Sequence, residues 1–483
     1  MSSAPAPAAA PPVARGAWLA LAVVLGAAFM SLLDTTIVNV ALPTIRTSLD
    51  ASESTLSWII SGYALAFGLA LIPAGRLGDR YGHKWVFITG LALFTAASLA
   101  CGLAQNDLQL IIARVVQGLG GGIFFPAVSA FIQLLFPPMA RGRAFAILGA
   151  VIGVSSALGP LVGGLIIQAL GDETGWRWIF AVNLPIGVIV LVAAIALLPS
   201  EAAGKATSND LIGLVLLSGA LVALLVPLIQ GQEEGWPLWT YLSIGGGVLL
   251  VVLFALWERN VASRGKDPLV PPRLFAHAQF AAGTILALVF FAAFTSIFFT
   301  ISLLWQAGLG HTALESGLVS VPFAIGNIIG ASQSDRLAAR LGRAVLAIGV
   351  ALLTIGLTAL FLILLLVPTA DLTNWTLLGP LLVAGLGSGL FIAPNVRFIV
   401  ATVDRSEAGA ASGVIGTMQR VGAAAGIAVI GSVFFGNIGP IAGPADLPAA
   451  FGQAATPALA VSATLALVAF LLVFTLPKRV QLH

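Results

Sequence analysis

The stretch GRLGDRYGHK, Gly75–Lys84, separates two long apolar runs, and a related stretch recurs far along the chain. The second copy, SQSDRLAARLGR or Ser332–Arg343, repeats the Asp-Arg pair and then a glycine followed by a basic residue. Each copy follows an apolar run long enough to cross a bilayer. Such a repeat predicts a membrane chain built from two related halves.

The composition around these stretches is that of a membrane protein. The 483 residues are 59% hydrophobic and 8% charged, whereas soluble proteins carry roughly 25% charged residues. The net charge of +3 is too small to indicate a nucleic-acid partner, and we expect the lipid bilayer instead. The one cysteine, Cys101, excludes an intramolecular disulfide.

Fourteen apolar segments are long enough to span a membrane, which takes about 20 residues per helix. Most basic residues fall in loops on one side, and only Arg46 and Arg177 fall in loops on the other. The positive-inside rule therefore predicts that both termini are cytoplasmic. The predicted segments are 17–42, 56–75, 84–104, 108–134, 143–170, 177–198, 209–230, 238–257, 278–305, 313–333, 344–367, 374–398, 409–436 and 455–476.

The two copies of the repeat follow the second and the tenth segments, so segments seven and eight are interpreted as an insertion. The predicted fold is an all-α integral membrane protein, with two six-helix bundles plus two additional central helices. The predicted divisions are a disordered tail (1–16), an N-terminal bundle (17–199), two inserted helices with cytoplasmic linkers (200–276), a C-terminal bundle (277–477) and a cytoplasmic tail (478–483).

An aspartate, Asp34, lies inside the first segment in LLDTTIVNVALP, Leu32–Pro43, and intramembrane carboxylates mark functional sites. If that helix ends at Pro43, Asp34 lies about 13 Å below the outer surface. Arg114, in the antiparallel fourth segment, lies about 9 Å below the same surface. The similar depths predict a pair in which Asp34 carries a proton. A static ion pair and a contact to the substrate's charge are the alternatives.

Residues near this pair are predicted to line a substrate cavity. They mix polar with apolar groups, which suits a lipophilic small molecule. A phenylalanine-rich run in the ninth segment, 290–299, is expected to face lipid rather than the cavity. The predicted cavity residues are Thr35, Ile37, Val38, Asn39, Gln117 and Arg420.

The chain resembles the major facilitator superfamily, and within it the fourteen-span drug:proton antiporter group. The resemblance rests on Gly75–Lys84, on the first-segment motif, on RVVQGLGGG (Arg114–Gly122) and on GVSSALGPLVGG (Gly153–Gly164). It implies the major facilitator fold and a transporter without enzymatic activity or a cofactor. It also implies export of lipophilic drugs or antibiotics across the plasma membrane, coupled to protons.

The resemblance further assigns mechanical roles to two groups of residues. The motif after the second segment and its repeat would form a latch that holds the outward-facing state, and the fifth segment would be a pliable gate helix. The thirteenth segment, GTMQRVGAAAG (Gly416–Gly426), departs from the group because Gln419 and Arg420 are in reverse order. The latch residues are Gly75, Gly78, Asp79, Arg80, Gly82, Lys84, Asp335 and Arg336; the gate residues are Gly153, Gly159, Pro160, Gly163 and Gly164.

The source of energy follows from the motifs that the sequence lacks. None of the lysines lies in a Gly-Lys-Ser/Thr phosphate-binding sequence, and the four histidines have no metal-ligand spacing. A gradient or a partner must therefore drive transport, and we predict proton-coupled export by a bacterium. The alternatives are a gradient-driven carrier of an anionic metabolite, which three intramembrane arginines favour, and a membrane sensor that transports nothing.

Overall fold

The computed structural model describes residues 14–51, 53–171, 174–200, 210–231, 234–401, 403–404, 407–441 and 443–476. Throughout these ranges the regular structure is helical, and 14 helical segments are long and apolar enough to cross a membrane. The predicted fold class is therefore confirmed. The predicted cytoplasmic tail lies outside the described residues, as does most of the N-terminal tail.

Seven helices form the first six spans because the sixth span is divided. They are α1 (Arg15–Leu49), α2 (Glu53–Tyr81), α3 (His83–Leu103), α4 (Asp107–Leu135), α5 (Pro138–Leu170), α6 (Gly175–Ala181) and α7 (Asn183–Leu197). The inserted helices are α8 (Leu211–Gln230) and α9 (Leu238–Ser263), followed by the short α10 (Arg273–Ala276).

The last six spans repeat the arrangement of the first six. The ninth span is α11 (Ala278–Leu303), which ends in a π-helical turn, and the tenth is divided into α12 and α13. The bounds are α12 (Ala313–Val319), α13 (Val321–Leu341), α14 (Ala344–Leu366), α15 (Asn374–Val400), α16 (Ala408–Gly436) and α17 (Leu447–Val473).

Several helices extend beyond the predicted segments. Helix α1 continues to Leu49 and α2 continues to Tyr81, so most of Gly75–Lys84 is helical. Only Gly82 separates α2 from α3, with a φ of 91° that favours glycine. The predicted loop is therefore one residue, because charged residues end an apolar segment without ending its helix.

The two bundles meet along two sets of helices. Helix α2 packs against α16, and α5 packs against α13 and α15. The inserted α8 packs against α9 and also contacts α2 and α16, so it flanks the junction of the bundles. These contacts bring the predicted latch and gate helices to the junction.

The phenylalanine-rich run corrects one expectation. Phe290 and Phe294 are buried, and the Phe290 ring stacks on Phe391 of α15 with centroids 3.9 Å apart. Phe294 packs on Phe323 of α13. The run therefore belongs to the core of the C-terminal bundle. Since α11 is apolar all round, its sequence alone does not reveal which face is covered.

A second acidic side chain is buried within a span. Glu258 lies near the inner end of α9 and is 2% exposed, and its Oε2 accepts a hydrogen bond from the Val270 amide at 2.8 Å. The predicted segment ended at residue 257, whereas α9 continues to Ser263. Asp34 is therefore not alone, although Glu258 lies at the cytoplasmic end of the inserted helices.

Candidate functional site

Asp34 is completely buried and accepts hydrogen bonds from three side chains. Its Oδ2 accepts from Arg114 Nη1 at 2.6 Å. Its Oδ1 accepts from Gln117 Nε2 at 2.9 Å and from Asn183 Nδ2 at 2.7 Å. Both carboxylate oxygens therefore accept hydrogen bonds, and one of the donors is a guanidinium, which makes that bond a strong one.

Arg114 is held from several directions. Its Nε donates to the Ile59 carbonyl at 3.1 Å, and Nη1 also donates to Gln117 Oε1 at 2.7 Å. The guanidinium carbon lies 4.1 Å from the centre of the Tyr63 ring, a cation–π contact. At 1% exposure, Arg114 points into the bundle and not outward to the membrane surface.

Two residues of this cluster, Asn183 and Ser98, were missed by sequence reasoning. The hydroxyl of Ser98 accepts from Gln117 Nε2 at 2.7 Å and from Asn183 Nδ2 at 3.3 Å. Asn183 begins α7 just before Pro185, which has no amide hydrogen for the carbonyl one turn earlier, and the sixth span breaks there. An Asn-x-Pro sequence inside an apolar segment is a signal from which Asn183 could have been predicted as a site residue. A single serine in an apolar helix is not such a signal, so Ser98 could not have been predicted.

The structure corrects the predicted cavity lining around Asp34. Ile37 and Val38 are each 1% exposed and pack with Trp176 in an apolar cluster. Gln117 is completely buried in the polar cluster. These three side chains are therefore enclosed in this conformation, because this part of α1 packs against α4, α5 and α6.

The other predicted cavity residues near Asp34 lie differently. Thr35 is partly exposed, and its hydroxyl donates to the Ser31 carbonyl at 2.9 Å. The side chain of Asn39 lies outside the described part of the structure. Thr35 is thus the residue of this stretch whose described side chain keeps the predicted access.

The latch motif joins the cytoplasmic ends of the bundles through Asp79. Its Oδ1 accepts from the Gly409 amide at 2.9 Å and its Oδ2 from the Ala410 amide at 3.1 Å. These amides are in the first turn of α16, where a carboxylate satisfies free donors and complements the helix dipole. A Cβ at Gly75 would lie 2.1 Å from the Gly409 carbonyl oxygen, so the two backbones meet where each has glycine.

Other residues of the motif act within the N-terminal bundle. Gly78 lies against the His83 ring, whose Nε2 is 3.4 Å from Asp79 Oδ1. Lys84 Nζ donates to the Ile195 carbonyl at 2.8 Å, near the end of α7. Lys84, one of the predicted latch residues, therefore caps a helix of its own bundle. Arg80 stacks on the Tyr81 ring.

The second copy of the motif has a related position with different partners. Asp335 of α13 accepts from Arg397 Nη1 at 2.8 Å and packs against Gly142, in the first turns of α5. Arg336, also a predicted latch residue, is exposed and makes none of the described contacts between the bundles.

Next to the latch, Arg273 of α10 donates to Glu407, the residue before α16, with Nη2 2.7 Å from Oε1. This hydrogen bond raises the pKa of Arg273 above its usual value.

The glycines of α5 allow it to lie between α1 and the tenth span. Added Cβ atoms at Gly159 and Gly163 would meet Thr36 and Ile37 of α1. Added Cβ atoms at Gly153 and Gly164 would meet Asn327 and Leu314 of the C-terminal bundle. The backbone of α5 thus lies directly against helices of both bundles at these glycines. Pro160 also removes one of the internal hydrogen bonds of α5.

Arg420 lies about 18 Å along α16 from its cytoplasmic start, where α16 faces α2. It is partly exposed, and its guanidinium carbon lies 4.1 Å from the centre of the Phe67 ring. Tyr63 lies one helical turn before Phe67, and its ring makes the corresponding cation–π contact with Arg114. Two cations therefore stack on successive aromatic residues of α2.

Two helical bundles joined at their cytoplasmic ends, with a buried charge pair between membrane helices, define a secondary transporter. Residues 24–427 match the family model described as Major Facilitator Superfamily, and the chain belongs to this superfamily. The predicted family is confirmed, as is a multi-pass transporter of the plasma membrane.

Among curated proteins, the chain is 40% identical over 439 residues to a probable actinorhodin transporter of Streptomyces coelicolor, covering 89% of this chain and 74% of that one. It is 32% identical over 441 residues to the tetracenomycin C resistance and export protein of Streptomyces glaucescens, covering 88% and 77%. Among solved structures it is similar to the proton:xylose symporter XylE, with a TM-score of 0.66, 15% identity and 96% of each chain covered. The likeness to XylE supports the fold alone.

Proposed function

We propose that the protein is a proton-coupled antiporter that exports lipophilic antibiotics or related small molecules from a bacterial cell. The observation that carries the proposal is Asp34, an intramembrane carboxylate bonded to Arg114, Gln117 and Asn183. Buried membrane carboxylates of this kind serve proton relays. The relatives named for actinorhodin and tetracenomycin C supply the class of cargo.

Protonation of Asp34 is the step that would link the proton to the helices. Its bonds tie α1 to α4 and α7. A proton on the carboxylate removes the negative charge that Arg114 pairs with and replaces one acceptor with a donor. The three donors then share a weaker, uncharged acceptor, so proton binding biases the packing of three helices that meet at one residue.

The latch and gate residues would convert this bias into alternating access. In the described conformation the cytoplasmic ends of α2 and α16 are bonded through Asp79 and touch through Gly75 and Gly409. Opening toward the cytoplasm requires that these contacts separate while α5 moves against the other bundle. The moving units would be the predicted bundles 17–199 and 277–477, flanked by the insertion 200–276.

The proposal is tested with inside-out membrane vesicles that have an acidified lumen. We expect uptake of actinorhodin or tetracenomycin C that requires the pH gradient and is lost in Asp34→Asn. The matched control is Asp267→Asn, the same substitution at an exposed residue, which should behave as the wild type. Uptake that persists after an ionophore collapses the gradient, or failure of the folded wild type to take up either compound, would contradict the proposal.

A further inference from the structure

We propose that Arg420 binds an anionic group of the substrate, so that the transporter selects lipophilic aromatic anions such as aryl carboxylates, phenolates or sulfonates. This inference rests on the proposed export function and adds the charge of the cargo and the residue that recognises it.

The first observation is that Arg420 lacks a partner for its charge. Among the residues that the structure describes, no carboxylate lies within ion-pair distance of its guanidinium, and no described hydrogen bond involves it. Two other arginines of the membrane helices are paired with carboxylates, Arg114 with Asp34 and Arg397 with Asp335. Arg420 thus differs from them in that its described neighbours are the Phe67 ring and the neutral Tyr63 side chain rather than a carboxylate.

The charges along this part of α2 therefore do not balance. Asp34 neutralises Arg114, which leaves one positive charge on Arg420 at a deep position in the membrane. An uncompensated charge in a low-dielectric region is unfavourable, and a ligand anion would compensate it. The planar guanidinium with its fork of donors is the side chain best suited to a carboxylate or sulfonate.

The second observation is an unsatisfied polar atom nearby. Thr417 lies three residues before Arg420 and so on the same side of α16. Its side chain is 5% exposed, and its buried hydroxyl has no hydrogen-bond partner among the described residues. A threonine hydroxyl in a helix usually bonds to the carbonyl of the preceding turn. The hydroxyl of Thr417, one turn before Arg420, is therefore a buried polar group whose hydrogen-bonding capacity is unused in this conformation.

The surroundings of Arg420 favour an aromatic ligand that carries the anion. Phe67 packs edge-on against Phe125 with ring centroids 5.6 Å apart, and both face the junction near Arg420. Arg420 and Phe125 each keep part of their surface exposed at this part of the junction. An aromatic anion would place its charge on Arg420 and its ring against these side chains.

The anion site and the proton site are distinct in this arrangement. Tyr63 lies between them, with its ring on Arg114 and its hydroxyl 3.2 Å from Ser31 Oγ. The substrate's charge thus acts on α16 of one bundle, and the proton acts on α1 of the other. A mutation can therefore alter the anion site without removing the proton site, and the reverse.

The test compares two fluorescent probes of nearly equal shape, anthracene-9-carboxylate and anthracene-9-carboxamide, by equilibrium binding to the purified full-length protein. We expect the wild type to bind the carboxylate about tenfold more tightly, as one charge-assisted interaction predicts. Arg420→Gln should abolish the preference and Arg420→Lys should keep part of it. Arg259→Gln, a matched change at an exposed arginine, should leave it intact. Thermal unfolding of each variant establishes that it is folded.

Equal affinity for the two probes, no binding of the carboxylate by folded wild type, or a preference that survives in Arg420→Gln would each overturn the inference. A purely structural Arg420 would change stability without changing the ratio of the two affinities. A carboxylate preference without gradient-driven uptake would contradict antiport and leave the anion site standing. Gradient-driven uptake without that preference would remove the anion site alone.

Discussion

At the scale of single residues, two buried charges of the N-terminal bundle and their polar neighbours form one hydrogen-bond network. Asp34, Arg114, Gln117, Asn183 and Ser98 form one network in which the carboxylate is the shared acceptor. A buried charge pair of this kind contributes little net stability, but removal of one partner leaves the other uncompensated. The network is therefore expected to respond as a unit.

Arg114→Gln is expected to destabilise the protein by about 3–5 kcal/mol, because it leaves the Asp34 carboxylate buried without its counter-charge. Asp34→Asn added to Arg114→Gln should restore most of that loss, since neither buried charge then remains. The measurement is thermal unfolding in detergent of the single and double variants. Simple addition of the two single losses would show that the pair does not act as a unit.

The sequence predicted the Asp34–Arg114 pair although one of its assumptions was wrong. The depth estimate ended α1 at Pro43, whereas α1 continues to Leu49. The two side chains nevertheless meet, with Arg114 Nη1 2.6 Å from Asp34 Oδ2. Ser98 was not predictable, since its role depends on which helix faces lie together.

At the scale of elements, the junction depends on helices that approach closely because glycines face each other. Gly75 of α2 meets Gly409 of α16, and the same place carries the Asp79 bonds to the start of α16. The motif therefore links a helix end in one bundle to a helix start in the other. It was visible in sequence, but its partner amides belong to a segment more than 300 residues away.

The latch predicts the reactivity of a cysteine placed behind it. Ser412, in the first turns of α16, is 6% exposed, so a cysteine placed there by Ser412→Cys should react slowly with a membrane-permeant maleimide. The native Cys101 is also buried, so it should add little labelling of its own. Asp79→Ala removes a capping carboxylate worth about 1 kcal/mol, so it should raise the labelling rate about fivefold. Asp267→Ala serves as the control. Equal labelling rates of Ser412→Cys with Asp79 intact and with Asp79→Ala would argue against a latch.

The gate helix predicts a steric effect with a defined rescue. A Cβ at Gly159 would lie 1.9 Å from Thr36 Oγ1, so Gly159→Ala should cost about 1–3 kcal/mol and reduce uptake. Thr36→Ala removes that oxygen and should recover part of both losses. Gly379→Ala, where an added Cβ meets nothing within 4 Å, is the control. Thermal unfolding and vesicle uptake measure the effects, and full tolerance of Gly159→Ala would contradict the contact.

At the scale of the whole molecule, the two halves use the same plan with different chemistry. In the first half Asp79 of α2 bonds the start of α16; in the second, Asp335 of α13 packs against the early α5 but pairs with Arg397 of its own bundle. The repeat in sequence predicted the shared plan. It did not predict the different partners, because those depend on side chains outside the motif.

The central claim is that Asp34 carries the proton that is exchanged for the exported compound. The most direct test measures protons leaving the acidified lumen of inside-out vesicles when a transported compound is added outside. The account predicts proton release with wild type and with Asp267→Asn, and none with Asp34→Asn. Unchanged proton release by a folded Asp34→Asn protein would contradict the claim.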